Sequence, residues 1–131
     1  MAGFSDYLEA KVLNHVFGGT AYTAPSTLYV GLYTAAPSDS GGGTEVSGGS
    51  YARKSMPAMT VSGTSPTQAT NGAAVEFVTA TGSWGTVTHC GVFDAVSSGN
   101  LLGWAALTAS KAVASGDVFR FDAGDLDITL A

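Results

Sequence analysis

Few residues in this sequence have side chains able to do chemistry. Cys90 is the only cysteine, and it follows His89. A nucleophile pair needs thiol and imidazole to meet, yet neighbours on a strand point to opposite faces. His15 lies in a separate amino-terminal segment. Cys90 is therefore read as a small buried hydrophobe, and His89 as a packed or hydrogen-bonded strand residue. A single cysteine also excludes an intrachain disulfide and a cysteine-based zinc site. Asp117, Asp122, Asp125 and Asp127 crowd the last stretch, and calcium takes oxygen ligands. The EF-hand spacing is absent, however, and Asp122 and Asp125 flank a glycine, where aspartate bonds its own turn backbone. Asp127 falls on the polar side of a strand. Glycoside hydrolysis needs two converging carboxylates; Glu9, Glu45 and Glu76 sit in a helix, a loop and a strand, with nothing to bring two together. Gly41-Gly42-Gly43 lacks the Lys-Ser/Thr of a phosphate loop, and no nucleophile elbow or dinucleotide fingerprint occurs. The reading is a protein with no enzymatic site, no metal and no cofactor.

The aromatic side chains offer binding rather than catalysis. Tyr22, Tyr29, Tyr33, Tyr51, Trp84 and Trp104 are the candidates. Tyr29 and Tyr33 share one face of a strand with Gly31 between them, a flat strip suited to stacking on a sugar or on a neighbouring subunit. The competing reading places these rings in the core or over a sheet edge, where a small β domain needs them.

These residues must be positioned by mostly β structure. Phe4, Leu8, Val12 and Val16 recur every fourth residue and form one apolar stripe on a helix. Ser5 is its N-cap and Gly18-Gly19 its stop. At about 13 residues such a helix is marginal alone, so Leu8, Val12 and Val16 must dock on its own domain or on another subunit. Thr27–Tyr33 alternates as a strand. Pro37–Ser50 reads as a mobile, exposed glycine-serine loop. Tyr51–Val61 is a strand interrupted by Pro57, Ser62–Thr70 a loop, and Asn71-Gly72 a turn. Further strands are expected at Ala74–Thr79, Thr86–Asp94, Leu101–Leu107, Val118–Asp122 and Leu126–Leu130. In the last of these, Leu126, Ile128 and Leu130 face inward. The fold class is mainly β: a small antiparallel β-sandwich or barrel-like domain with one N-terminal α-helix. Residues 1–19 form a helical arm and 20–131 a single β domain.

Composition narrows the partners. The chain has 131 residues, 45% hydrophobic but only 11% charged, with 18 glycines and a net charge of −5. Lys11, Arg53, Lys54, Lys111 and Arg120 are its only cations, too few and too scattered for a nucleic-acid patch or an anionic membrane surface. Asp6 and Glu9 stand where a signal peptide needs an apolar run. Ala2 stands where myristoylation needs glycine, and no apolar stretch reaches the roughly 20 residues of a membrane helix. The expectation is synthesis in a cytoplasm with no address of its own. So sparsely charged a surface belongs beside neighbours.

The ordered segments Leu28–Pro37 (LYVGLYTAAP), Gly48–Arg53 (GGSYAR), Trp84–Ala95 (WGTVTHCGVFDA), Gly99–Leu102 (GNLL) and Gly116–Leu130 (GDVFRFDAGDLDITL) carry a resemblance. Together with the opening FSDYLEAKVLNHVFGGTAY, they resemble a family of small bacteriophage structural proteins usually labelled tail fibre proteins. The likeness spans the chain except for roughly 55–70. It implies a virion component made in a bacterial host and no enzyme, serving either as a tail or fibre piece or as a capsid decoration (cement) protein. The partners implied are other virion proteins, whether the major capsid protein or tail and fibre proteins. Copies of such components assemble with symmetry, and a homo-oligomer, a trimer, is expected. A receptor-binding module gripping host-surface glycan through Tyr29 and Tyr33 is the alternative.

Overall fold

The computed structural model describes residues 3–130. The side chain of Leu130, the third inward position expected of the last strand, lies outside the described residues, as do Met1, Ala2 and Ala131. The elements run β1 (Gly3–Phe4), α1 (Asp6–Val16), β2 (Leu28–Ala35), β3 (Thr44–Glu45), β4 (Lys54–Met56), β5 (Thr60–Ser62) and β6 (Thr67–Thr70). They continue with β7 (Val75–Glu76), β8 (Gly85–Phe93), β9 (Leu101–Val113), β10 (Arg120–Phe121) and β11 (Asp127–Leu130).

The chain is mainly antiparallel β with one helix, in a sandwich-like arrangement of open sheets. A large sheet has the order β1-β9-β8-β2-β3, with β4 also pairing β2. Opposite it lie the ribbon β10-β7 and the small sheet β11-β6-β5. Registers Val30↔Val92↔Gly103 and Leu32↔Cys90↔Ala105 align one face of the large sheet in rows. That face forms one core with Val75, Phe77, Phe119, Phe121 and Leu126 of the second layer. Strict alternation decides it: in Ala74–Thr79, Val75 and Phe77 are buried while Glu76 and Val78 are exposed.

Pro57 ends β4 in the large sheet, and the chain resumes as β5 in the small one, so the interrupted strand is two strands in two layers. Two expected loops carry structure. Pro37–Ser50 contains β3, which pairs with β2, and the buried Val46. Ser62–Thr70 contains β6, held between β5 and β11 although its own residues are small and polar. Asn71 is a buried hub as well as a turn residue. Its Nδ2 donates to the carbonyls of Ala73 and Asp122, and its Oδ1 accepts from the Leu126 N–H.

Ser5 caps α1 as expected, accepting from the Leu8 N–H at 3.2 Å. It is itself buried, because its hydroxyl donates to the Leu101 carbonyl and its N–H donates to the Leu102 carbonyl. The helix start is thereby fixed to β9. The stripe then leaves the sheet. Leu8 and Val12 are half-buried, but Val16 is 60% exposed, with Leu13 at 58% and Phe17 at 81%. No helix of the described residues is long and apolar enough to cross a membrane.

Candidate functional site

The reactive residues are placed apart and occupied. Cys90 is buried on the inner face, and burial pushes its thiol up to about 11. His89 faces the other way, with Nδ1 2.8 Å from the Thr88 hydroxyl and its ring tilted against Trp104. His15 Nδ1 accepts from the Tyr22 N–H. In the acidic stretch, Asp117 accepts from the Ala114 N–H, Asp125 from the Asp122 N–H, and Asp122 from Arg120. Arg120 also pairs with Glu76. Asp127 buries one carboxylate oxygen, Oδ1, without a partner among the described residues.

The outer face of the large sheet is where functional groups converge. Gly31 on β2 and Gly91 on β8 sit opposite one another. A Cβ at Gly31 would lie 2.8 Å from the Phe93 ring and 2.9 Å from the Glu45 carboxylate. One at Gly91 would lie 2.8 Å from Leu101 and 3.2 Å from the Tyr33 ring. Two missing side chains therefore make a trough. Tyr33 and Phe93 stack in it, with centroids 6.2 Å apart. The Arg53 guanidinium lies over Phe93 at 3.5 Å. Arg53 is held by a two-point pair to Glu45 (2.9 and 2.8 Å) and donates to the Ala95 and Ser98 carbonyls. Burial works against the Arg53 charge, and Glu45 more than offsets it, so its pKa is raised.

Tyr51 completes the arrangement. Its ring packs in the core against Phe77 and Trp84, while its hydroxyl reaches the edge of β2 between β3 and β4. There it accepts from the Leu32 N–H and donates to Glu45 Oε2 at 2.7 Å. One side chain thus supplies the ladder bond that neither neighbouring strand provides. Burial, with the Glu45 carboxylate adding to it, raises the Tyr51 phenol pKa; Tyr33, for the same reasons, is pushed up to about 12.

Above this cluster lies a cleft of about 520 Å³. Its walls are the first turn of α1 (Ser5, Asp6, Tyr7), the 39–42 segment and the 98–101 turn; Tyr33, Phe93 and Arg53 also line it. Asp39 is fixed on one side by accepting from Trp104 Nε1 at 2.9 Å through Oδ1. The α1 wall is tied to the 39–42 wall by the Asp6 N–H donating to the Asp39 carbonyl.

The family described as Podophage GP4 fiber I protein gp80 matches residues 3–129. The chain belongs to this family. Membership makes it a phage fibre structural protein, a virion component that associates with other virion proteins. No curated protein matches the chain closely. For a fibre family member, the surfaces that matter are those offered to neighbours and ligands, and the five residues singled out in the sequence distribute unevenly over them. Tyr33 is 5% exposed and Tyr29 half-buried. The strip they were expected to form is therefore no open platform: Gly31 admits Phe93, the Tyr51 hydroxyl and the Glu45 carboxylate over it. Tyr33 still lines the cleft, whereas Tyr29 does not. Of the helical stripe, Leu8 and Val12 turn partly to their own chain, and Val16 is left outside with Leu13 and Phe17. Sequence reasoning missed Tyr7, Asp39, Glu45, Arg53 and Phe93 as a group. The signal available was a glycine in the interior of each of two strong strands, which marks close approach by something else.

Proposed function

We propose that this chain is a non-catalytic tail-fibre subunit, and not a capsid decoration protein, that assembles with copies of itself as a trimer through the end of α1. In this reading residues 1–19 are the assembling arm of a single β domain spanning 20–131. The observation that carries it is the apolar end of the helix: Leu13, Val16 and Phe17 lie 58%, 60% and 81% exposed on a chain that has little charge elsewhere to keep it apart from neighbours. Scattered apolar residues are ordinary on a surface, but three clustered at the last turn and cap of one helix mark a contact. The fibre family supports the tail over the head. The non-catalytic reading is supported by the buried thiol and by the pairing of Glu45 with Arg53 and of Glu76 and Asp122 with Arg120.

The test is light scattering on the purified chain beside the triple variant Leu13→Ser, Val16→Ser, Phe17→Ser. A trimer that becomes a monomer in the variant, with unchanged melting temperature, is expected. A monomeric parent, or a trimer indifferent to the variant, overturns self-assembly through α1. Electron cryo-microscopy of the particle separates the two locations: few copies at the tail are expected, and many over the head would make it a decoration protein. A glycan-binding role is favoured by one observation, the cleft lined by Tyr33 and Tyr7, and not by the covered Tyr29–Tyr33 strip.

A further inference from the structure

The cleft under the first turn of α1 constrains its occupant by size, by surface and by charge. Its roughly 520 Å³ falls in the range of small-ligand sites. Its surface mixes the rings of Tyr7, Tyr33 and Phe93 with hydroxyl, carboxylate and backbone groups of the 39–42 and 98–101 segments. Such a mixture suits a molecule that is apolar on its ring faces and rich in hydroxyls at its rim.

Charge is the deciding property. Arg53 reaches the cleft, but the two-point pair with Glu45 cancels its charge, and the Ala95 and Ser98 carbonyls take further donors. Asp6 and Asp39, both exposed, leave the opening negative. An anionic ligand therefore meets like charge, with no free cation among the described lining residues to receive it. A quaternary or primary amine finds the Phe93 face already covered by the Arg53 guanidinium at 3.5 Å and has only the exposed, water-screened carboxylates to attract it. What remains are unused hydrogen-bonding groups. The Tyr33 hydroxyl belongs to a side chain 5% exposed and makes no hydrogen bond among the described residues. The Asp6 carboxylate makes none there either, and Asp39 uses only Oδ1, for Trp104. An unspent hydroxyl at the cleft surface beside two carboxylate acceptors is the complement of adjacent sugar hydroxyls.

We infer that this cleft is a saccharide site taking an uncharged, hydroxyl-rich sugar residue, with Asp6 and Asp39 accepting from its hydroxyls, the Tyr33 hydroxyl bonding to it and Tyr7 flanking its ring. The inference deepens the glycan-binding reading and rests on it for the source of the sugar; the chemistry of the site stands apart from how the subunit assembles. The Asp39 side chain, pinned by Trp104, arrives preorganised, which lowers the ordering cost of binding.

The test uses the full chain on an array of uncharged and acidic oligosaccharides, followed by calorimetric titration with the methyl glycosides of glucose, galactose and mannose, with glucuronate and with choline. Saturable binding of at least one uncharged glycoside is expected, with glucuronate at least about tenfold weaker than the corresponding glucoside. Tyr33→Phe keeps the stacked ring and removes only the hydroxyl; it should weaken binding about three- to tenfold. Asp6→Asn, on an exposed residue, should do likewise, and neither should shift the melting temperature. No saturable binding of any uncharged saccharide overturns the inference. So does preference for glucuronate or choline, or affinity undiminished in both variants. These readings concern the isolated chain, so their failure leaves fibre assembly standing, and a chain that fails to trimerise leaves a positive titration standing.

Discussion

The two faces of β2 are held by different forces, although they belong to the same eight residues. On the inner face Val30 and Leu32 meet Cys90, Val92 and the rings of the second layer, and area removed from water is what binds them. On the outer face Tyr29, Gly31 and Tyr33 meet an arginine, a glutamate, a tyrosine hydroxyl and Phe93. The outer arrangement is specific in direction and needs each partner present; the inner one needs only volume. A face built on direction can leave a cleft beside it without losing its geometry. A face built on contact area loses stability with any space left in it.

Four measurements sharpen or break this contrast. Leu32→Ala should cost the most, about 4 kcal/mol of unfolding free energy, because it opens a cavity in the fully buried row. A denaturant midpoint close to the parent's would mean that the inner face is not close-packed. Glu45→Gln should cost about 2 kcal/mol, since it removes the charge opposing Arg53, whose side chain is 9% exposed. Glutamine keeps the volume, so a loss no larger than at an exposed glutamate would refute the directional account of the outer face. Gly31→Ala should cost about 1.5 kcal/mol by forcing Phe93 and the Glu45 carboxylate apart, and it should slow thermal refolding little. A neutral or stabilising result would mean the trough is looser than its distances imply.

The smallest effect concerns alkaline pH. Cys90 and Tyr33 are both raised by burial, from 9.0 to about 11 and from 10.0 to about 12. Groups raised in this way contribute stability that is fully present below their unfolded values and is lost as pH climbs through their folded ones. Unfolding free energy should thus hold up to pH 9 and decline beyond it, by on the order of 1 kcal/mol at pH 10 from Cys90, with melting temperature falling alongside. Cys90→Ala should remove the first part of that decline, on the inner face, and Tyr33→Phe a share of the later part, to which the Tyr51 phenol, also raised by burial, contributes. A melting curve independent of pH between 9.0 and 11 would contradict the burial of Cys90.

Alternation made the inner face legible in the sequence. Val75 and Phe77 against Glu76 and Val78, or Val30 and Leu32 along β2, declare a side because a strand's period is two. The family also announced itself in ordered segments that span most of the chain. The cleft was not legible, because its members come from six places whose proximity depends on tertiary closure: Asp6 and Tyr7, Tyr33, Asp39, Arg53, Phe93 and the 98–101 turn. The Glu45–Arg53 pair spans a glycine-serine stretch with no periodicity to fix its geometry. What orders it is the β3 pairing with β2, two residues long. Asn71 read as a turn because Asn-Gly prefers turns, and its burial is decided by the 122–126 backbone that it satisfies. The helix stripe was legible as a stripe, but what each of its residues touches was not, since periodicity says which side is apolar and not how far the sheet extends beneath it.

Ser5, one buried residue, joins the start of α1 to β9: it accepts from the Leu8 and Glu9 N–H groups and donates to the Leu101 and Leu102 carbonyls. The helix is 11 residues long, a stiff rod of about 16 Å. Its near end forms a wall of the cleft; its far end carries the bare apolar cluster. Torque applied to the far end by an attached body has no soft joint at Ser5 in which to dissipate. It is delivered to Leu101 and Leu102 of β9, so the rod turns only if the large sheet turns with it.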